Sequence, residues 1–564
     1  MFAKYALTAL ALLWVGWLLP LQAQTTASPT PQTPSLQVWS RSLTDVLDRL
    51  EYVADLLDQA QDIRTLKVLV FLSRLQGKGV QGIHPDKPIG LYAFFKDDLI
   101  NSSFVLLIPI ADRDAFINEL LKQRLGCSVD KQVDGLYRLR LPDDQPLLGV
   151  GIDTLYVRFQ QDYAYIARYA ADTEPKRLIP ARTFFQDSDG ALLGIQLQLH
   201  HIAEDFKKFV VAELEMNIDE QLRREPPQDE VGKFVARWLT KHIVNLVQTT
   251  LLEAETVKVR LYVEPRQEQL RAEVSLTAKK GTLLARNFHR FAEHQSLAAG
   301  IVRAIGQKMN VAGVHWELTP QARQEFADMV KKAADTLMQQ AGPDEQEYVE
   351  GLFKAILPTL QRGKLDVAAA LVPIEGKKQH TLLAALVTQE GQRIETFLKT
   401  LAPILNAVDL ADFSFDREKL KQFRIHKVVV NGLPERIERL CGTSTVWLAV
   451  SDRCLVVSVE EDGKLLQTAI QNGRVVTPPL LHVDMSATQM LPLLYPHLHP
   501  DEIKALLHDV FGKKEPTDRD RIHMQLTGGD QLRLHIQVHG GVWRLFKAAE
   551  LFGPHPSPDA PQPK

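Results

Sequence analysis

Cysteine is nearly missing from this chain of 564 residues: three occur, Cys127, Cys441 and Cys454. Three are too few for a disulfide-built scaffold. Cys441 and Cys454 stand close enough in sequence to pair across a hairpin if the compartment is oxidising. Packing as small, half-buried thiols is the stronger expectation, and at least one of the three stays unpaired within the chain. An excess of either charge is also missing, with 66 Lys and Arg against 69 Asp and Glu and a formal net charge of -3. The cations are scattered among acids, so the clustered basic face of a nucleic-acid binder is not expected.

Apolar runs long enough to cross a bilayer do not occur beyond the N-terminus. At that end Lys4 supplies a positive start, positions 5–19 an apolar run, and Pro20-Leu21-Gln22-Ala23 a break with a cleavage site. This pattern predicts a secretory signal peptide cut after Ala23. The competing reading, an uncleaved anchor, needs about 20 apolar residues, and Ser, Thr and Pro follow this run at once. No transmembrane segment is expected once the leader is removed.

Catalytic signatures are wanting as well. The chain has no Gly-x-Ser-x-Gly elbow, no glycine-rich phosphate loop ending in Lys-Ser or Lys-Thr, and no His-Glu-x-x-His. Gly149-Val150-Gly151 lacks the third glycine and the following helix of a dinucleotide loop. Among 17 histidines, His497-Leu498-His499 puts two imidazoles on one side of an extended segment between Pro496 and Pro500. His535 and His539 sit four apart in a strand, and His200-His201 point to opposite faces if the strand extends to them. Zinc needs three or four ligands converging at about 2.0–2.3 Å, and the spacing supplies no third partner. Asp112 and Asp114 fall where acids cap a helix start, worth about 0.5–2 kcal/mol, and Asp86 is turn chemistry beside Pro85. No catalytic, metal or cofactor-binding residue is therefore assigned, and no cofactor is expected.

What the chain does contain is a repeat. Phe104-Val105-Leu106-Leu107-Ile108 leads through Asp112 to a helix bearing Phe116 and Leu120. Leu382-Leu383-Ala384-Ala385-Leu386 leads likewise to Ile394 and Leu398, with no gap between the two patterns. Other elements repeat in the same order. The strand near Leu136 matches that near Ile425. The hairpin of 154–159 and 163–169 matches that of 445–450 and 454–459. Leu192 pairs in pattern with Leu480, and the hairpin of 257–276 with that of 522–538. About five elements agree at a separation of about 260 to 290 residues, which predicts a tandem duplication.

The expected fold is α+β, with two tandem similar modules, each an antiparallel sheet with helices on one face, plus an N-terminal helical segment. The expected boundaries are a signal peptide at 1–23, a flexible Thr/Pro/Ser linker at 24–38, and the helical segment at 39–87. The first module follows at 88–297, a connector at 298–311, the second module at 312–552, and a Pro-rich tail at 553–564. Strands apolar on both sides, 104–108 and 382–387, belong at the sheet centres. Tyr163 to Tyr169 alternates and is expected to face water or a cleft on one side.

Gly82-Ile83-His84-Pro85-Asp86-Lys87-Pro88-Ile89-Gly90, followed by Leu107-Ile108-Pro109-Ile110-Ala111-Asp112 before a helix, resembles large exported bacterial proteins of unknown function. The resemblance implies an exported bacterial protein with a duplicate second half, and it carries over no functional residue. The second half has Val387-Thr388-Gln389 where that turn has Pro and Asp. The expected function is that of an exported, non-catalytic binding or scaffold protein of the bacterial cell envelope. Its partner would be an unknown ligand or envelope protein. The alternatives are an exported hydrolase with an unrecognised site, a carrier of an apolar or amphipathic ligand, and a scaffold acting through its N-terminal helices.

Overall fold

A computed structural model describes residues 33–56, 64, 67, 68, 70–72, 79–95, 102–142, 153–186, 188–224, 229–306, 309–374, 379–495, 498–512 and 519–551. The signal peptide, Gly149-Val150-Gly151, His497 and the Pro-rich tail lie outside these residues. The chain forms two compact units. Unit 1 comprises residues 1–214 and 248–282; unit 2 comprises 215–247 and 283–564.

Unit 1 opens on β1 (Leu36–Ser42), helix α1 (Leu43–Leu56), β2 (Pro88–Phe94) and β3 (Ser103–Pro109). Next comes α2, Arg113–Ala115, which continues as a π-helix over Phe116–Arg124. Strands β4 (Ser128–Lys131), β5 (Leu136–Arg140), β6 (Thr154–Gln160) and β7 (Tyr163–Ala167) follow, then α3 (Ala181–Phe184) and β8 (Leu193–Gln198). Two long helices, α4 (Glu204–Arg224) and α5 (Glu230–Glu253), precede β9 (Ala254–Glu264) and β10 (Gln269–Ala278), and residues 215–247 of these helices belong to unit 2.

Unit 2 contains α6 (Leu283–Ala292), α7 (Leu297–Arg303) and β11 (Asn310–Glu317), then α8 (Pro320–Gln340) and α9 (Pro343–Gln361). Strands β12 (Lys364–Pro373) and β13 (His380–Val387) lead to α10 (Gly391–Ala407), β14 (Ala411–Leu420) and β15 (Phe423–Val430). After α11 (Glu435–Cys441) come β16 (Thr445–Val450), β17 (Cys454–Val459), α12 (Lys464–Asn472) and β18 (Leu481–Ser486). The chain closes with α13 (Ala487–Leu494), α14 (Pro500–Phe511), β19 (Arg521–Thr527), β20 (Gln531–His539) and α15 (Gly540–Leu551).

The two sheets share one antiparallel topology. In unit 1 the spatial order is β4-β5-β6-β7-β3-β2-β1-β8-β9-β10. In unit 2 it is β14-β15-β16-β17-β13-β12-β11-β18-β19-β20, the same order with each strand number raised by ten. The two tandem α+β modules are thus alike strand for strand.

One partner of the repeat was hidden in the sequence. Leu36–Ser42, where the linker was expected to give way to helix, is a strand paired with both β2 and β8. It holds Trp39 opposite Gly90 on one side and Gly194 on the other. A Cβ on Gly194 would sit 2.1 Å from the Trp39 ring, so the indole occupies the space a side chain would need. With β1 placed, the N-terminal helical segment becomes the insertion between the first two strands. Helices α8 and α9 fill that position in unit 2.

Strands β3 and β13 lie inside their sheets and are packed on both sides. Val105 and Leu107 pack with Tyr92, Tyr165 and Phe184, while Phe104, Leu106 and Ile108 pack with Phe116, Leu139 and Val157. In unit 2, Leu383 and Ala385 meet Ile301 and Val302 of α7 and Leu466 of α12. From the opposite face Leu382 meets Leu440 and Cys441 of α11, with Leu371 and Val459. The helix cover expected on one face is therefore present on both, because the central strands are apolar on both sides over 104–108 and 382–387. Tyr163–Ala167 corrects another expectation, since all five residues are buried. The Tyr163 hydroxyl donates to Pro88 O, and the Tyr165 hydroxyl donates to Ile179 O and accepts from Ala181 N. Their polar tips are satisfied inside the fold, so the alternation does not mark a wet face.

Leu383 is 0% exposed at the centre of its sheet. Leu383→Ala should destabilise unit 2 by about 2–5 kcal/mol through lost transfer energy and a cavity. Denaturant titration should show an earlier transition for unit 2, and an unchanged titration would mean that β13 is not the centre of its core.

Candidate functional site

Strand register assembles a polar row on one face of the unit 2 sheet. Cross-strand partners share a face, and so do residues two apart on a strand. His315 on β11 faces Asp366 on β12, and Gly313 faces His482 on β18. Across the next pair Asp484 faces His523, and His482 faces Gln525; beyond it Gln525 faces His535 and His523 faces Gln537. Imidazole centroids lie 5.6 Å apart for His482 and His523, and 6.1 Å apart for His523 and His535. Arg521 Nη2 donates to Asp484 Oδ1 at 2.7 Å, giving the row an internal ion pair.

The row ends in a buried cluster. His315 Nδ1 lies 2.8 Å from Asp366 Oδ1, and both residues are 1% exposed. Ser296 Oγ donates to the same Oδ1 at 2.5 Å and accepts from Ala299 N at 2.9 Å, capping α7. The His294 ring stacks on that of His315 with centroids 6.2 Å apart. Two buried atoms of the cluster, His294 Nε2 and Asp366 Oδ2, have no hydrogen-bond partner among the described residues. One donor atom from each of His294, His315 and Asp366 lies within 4.8 Å of the others. Burial first, then Lys364, holds the His294 imidazole below its ordinary value.

Serine, histidine and aspartate meet here, yet the wiring is not that of a nucleophile. A triad needs the hydroxyl on the imidazole and the carboxylate behind it. In this cluster the hydroxyl and the imidazole both address Asp366 Oδ1, and Ser296 is engaged as a helix cap.

A second group, Glu395, Asp416 and His426, also brings its donor atoms within 4.8 Å. It is already neutralised: Lys399 Nζ lies 2.8 Å from both Glu395 Oε1 and Asp416 Oδ2, and Arg424 Nη2 lies 2.5 Å from Glu395 Oε2. His426 Nδ1 accepts from Asp416 N at 3.0 Å. This is an ion-pair network tying α10 to β14 and β15.

A different surface lies on α5. Its Trp238 ring packs on Phe326 of α8 with centroids 5.1 Å apart, and Lys241 pairs with Glu325 at 3.0 Å. Round the helix from that contact, Val235, Leu239, Ile243 and Leu246 are 42, 43, 39 and 54% exposed. Their spacing of four, four and three puts them in one stripe. In unit 2 the helices at the same point of the chain order, α13 and α14, bury Leu491 and Leu506 against Val542 and Leu545 of α15. Among the described residues of α4 and α5, only Lys207 and Val244 are buried.

Residues weighed from the sequence fall elsewhere. Asp112 accepts from Asp114 N and Ala115 N and caps α2, as its position implied, while Asp114 is exposed in the first turn. Asp86 accepts from Thr44 Oγ1 at 2.9 Å, which closes its turn on α1. His200 and His201 sit in a short 3-10 turn after the strand ends at Gln198, with rings 4.0 Å apart. His499 is an exposed residue at the start of α14. His535 joins the row, four positions from His539 on β20. Cys127, Cys441 and Cys454 are all free thiols and buried, which sets aside the Cys441–Cys454 pairing. Burial pushes the Cys454 thiol up to about 12. The buried cluster joins positions 21 and 51 residues apart, so no local spacing announces it.

No family model and no curated protein matches the chain. Among solved structures, crystal form III of TP0453 is similar with a TM-score of 0.23 and 9% identity, over 48% of this chain and 88% of that one. A likeness that low fixes neither fold nor activity. No described helix is long and apolar enough to cross a membrane.

Burial is the largest cause that holds His482 and His523 below the ordinary 6.5. Arg303, His523 and His315 add to it at His482 against Asp484, and His535 and Arg521 add at His523 against Asp484 and Gln525. The unfolded chain therefore binds more protons as pH falls below 6.5. Their contribution to stability is present above that value and is lost as pH falls toward their depressed native values. Melts of unit 2 between about pH 8 and about pH 5 should show this loss, and His482→Gln with His523→Gln should flatten it. An equal slope in wild type and double variant would show that these imidazoles do not carry it.

Proposed function

We propose that this chain is an exported, non-catalytic binding or scaffold protein of the bacterial cell envelope. In this reading α5 is the docking element and the ligand is an anionic lipid surface. The observation that carries it is the exposed stripe Val235-Leu239-Ile243-Leu246, in a position where the duplicate module covers its helices. Lys233 and Arg237 stand four apart on the same helix, Lys241 beyond them is paired with Glu325 of α8, and no Asp or Glu stands between Glu230 and Glu253. A cationic helix with an apolar stripe suits the interface of anionic lipid. Each half-covered side chain that enters the apolar phase contributes roughly 1 kcal/mol, and each nearby cation about 1 kcal/mol.

Export rests on the N-terminal leader pattern, and bacterial origin on the resemblance of 82–90 and 107–112 to exported bacterial proteins of unknown function. The non-catalytic reading is supported by Ser296, whose hydroxyl is spent on a helix cap and on Asp366.

Co-sedimentation with phosphatidylglycerol vesicles, with phosphatidylcholine vesicles as control, tests the docking element. The purified chain should bind the former and not the latter, weakening with salt. Leu239→Glu with Ile243→Glu should abolish binding while the melting curve shifts little, because exposed substitutions change stability by about 0.5 kcal/mol or less. Equal binding by the double variant, or none by the wild type, would overturn the proposal.

A further inference from the structure

We propose that His294, His315 and Asp366 form a zinc-binding site. Two imidazoles and one carboxylate make up a donor set that zinc accepts. The argument begins with the charge of Asp366, a carboxyl 1% exposed whose ion-pair partner among the described residues is His315. A buried carboxylate needs a cation, supplied either by an imidazolium or by a metal ion. Its Oδ2 has no partner, and neither has Nε2 of His294, which is 9% exposed and stacked beside His315. Two such atoms in one cluster leave room for a partner. The Glu395 cluster also has two, Glu395 Oε2 and His426 Nε2, and what separates the clusters is that no Lys or Arg is paired with Asp366 among the described residues.

The geometry is nearly that of a coordination sphere. Donor atoms of the three residues lie within 4.8 Å of one another. Ligands of tetrahedral zinc at about 2.0–2.1 Å from the ion are separated by roughly 3.3 Å, so side-chain adjustment closes the site. The Glu395 cluster satisfies the same distance criterion, but Lys399 and Arg424 already supply its cations.

The position also says what the ion does. His294 precedes α7, His315 lies on β11 and Asp366 on β12, so zinc would cross-link a helix start to two neighbouring strands. With His315 and Asp366 1% exposed, substrate has no access; a single water completes the tetrahedron beside the three protein donors, and the site acts as a structural tie. This inference stands apart from the docking surface on α5 and survives if that surface fails.

The full chain, stripped with chelator and dialysed, is titrated with zinc against a chromophoric chelator and separately with cobalt, whose absorption reports ligand geometry. We expect one tight equivalent per chain, a tetrahedral cobalt spectrum and a raised melting temperature for unit 2. His294→Gln, at the edge of the cluster, should weaken zinc by more than about ten-fold while leaving the metal-free melt in place. Asp366→Asn should weaken zinc likewise and also lower the metal-free melt, because Ser296 and His315 lose their charged partner. Glu395→Gln should leave zinc binding unchanged. Absence of a stoichiometric equivalent in the wild type overturns the site, as does undiminished binding in a folded His294→Gln chain.

Discussion

Burial of the two central strands on both faces is the constraint from which the rest follows. A strand covered on both sides must be apolar along its covered length, here 104–108 and 382–387, and its backbone must be paired along both edges. β3 and β13 meet these conditions, each flanked by antiparallel neighbours and sandwiched between side chains of helices and loops. In unit 1 the helix after β3 covers it, whereas in unit 2 the cover of β13 comes from α7, α11 and α12, and the later hairpins extend each sheet away from the apolar centre. There the same face turns polar. His482, His523 and His535 continue the plane that begins with Leu383 and Ala385, so one continuous surface passes from core to histidine row.

Much of that scheme was legible in the sequence, for a definite reason. Runs such as Phe104 to Ile108 and Leu382 to Leu386 carry their burial in composition, and hairpins such as 154–167 carry theirs in alternation around a polar turn. These signals are local. The strand Leu36–Ser42 was not legible, because Gln37, Ser40 and Arg41 make it look polar and its partners lie about 50 and 155 residues away. The tyrosines of 163–169 misled in the opposite sense. A phenol reads as a wet residue until its hydroxyl finds a carbonyl, as those of Tyr163 and Tyr165 do.

The buried cluster shows the limit more sharply. Spacing rules search for ligands on one helix face or in one loop, whereas His294, His315 and Asp366 meet through the register of β11 with β12 and the start of α7. The row His482-x-Asp484, Arg521-x-His523-x-Gln525 and His535-x-Gln537 did carry a signal, a period-two polar face opposite an apolar one. The apolar residues that alternate with it dominate the pattern of those segments. Duplication supplies the remaining contrast. Two modules with one topology make differences meaningful, and the uncovered stripe of α5 stands out because α13 and α14 are covered.

The central functional claim is that the α5 stripe enters an anionic lipid interface. A nitroxide attached at position 239 reports its own surroundings through relaxation by oxygen, which concentrates in hydrocarbon, and by a water-soluble nickel complex. Adding phosphatidylglycerol vesicles to the labelled chain should raise the oxygen effect and suppress the nickel effect at this position, with a label on the exposed face of α14 unchanged. A label at 239 that stays as accessible to nickel with vesicles as without them would contradict the account.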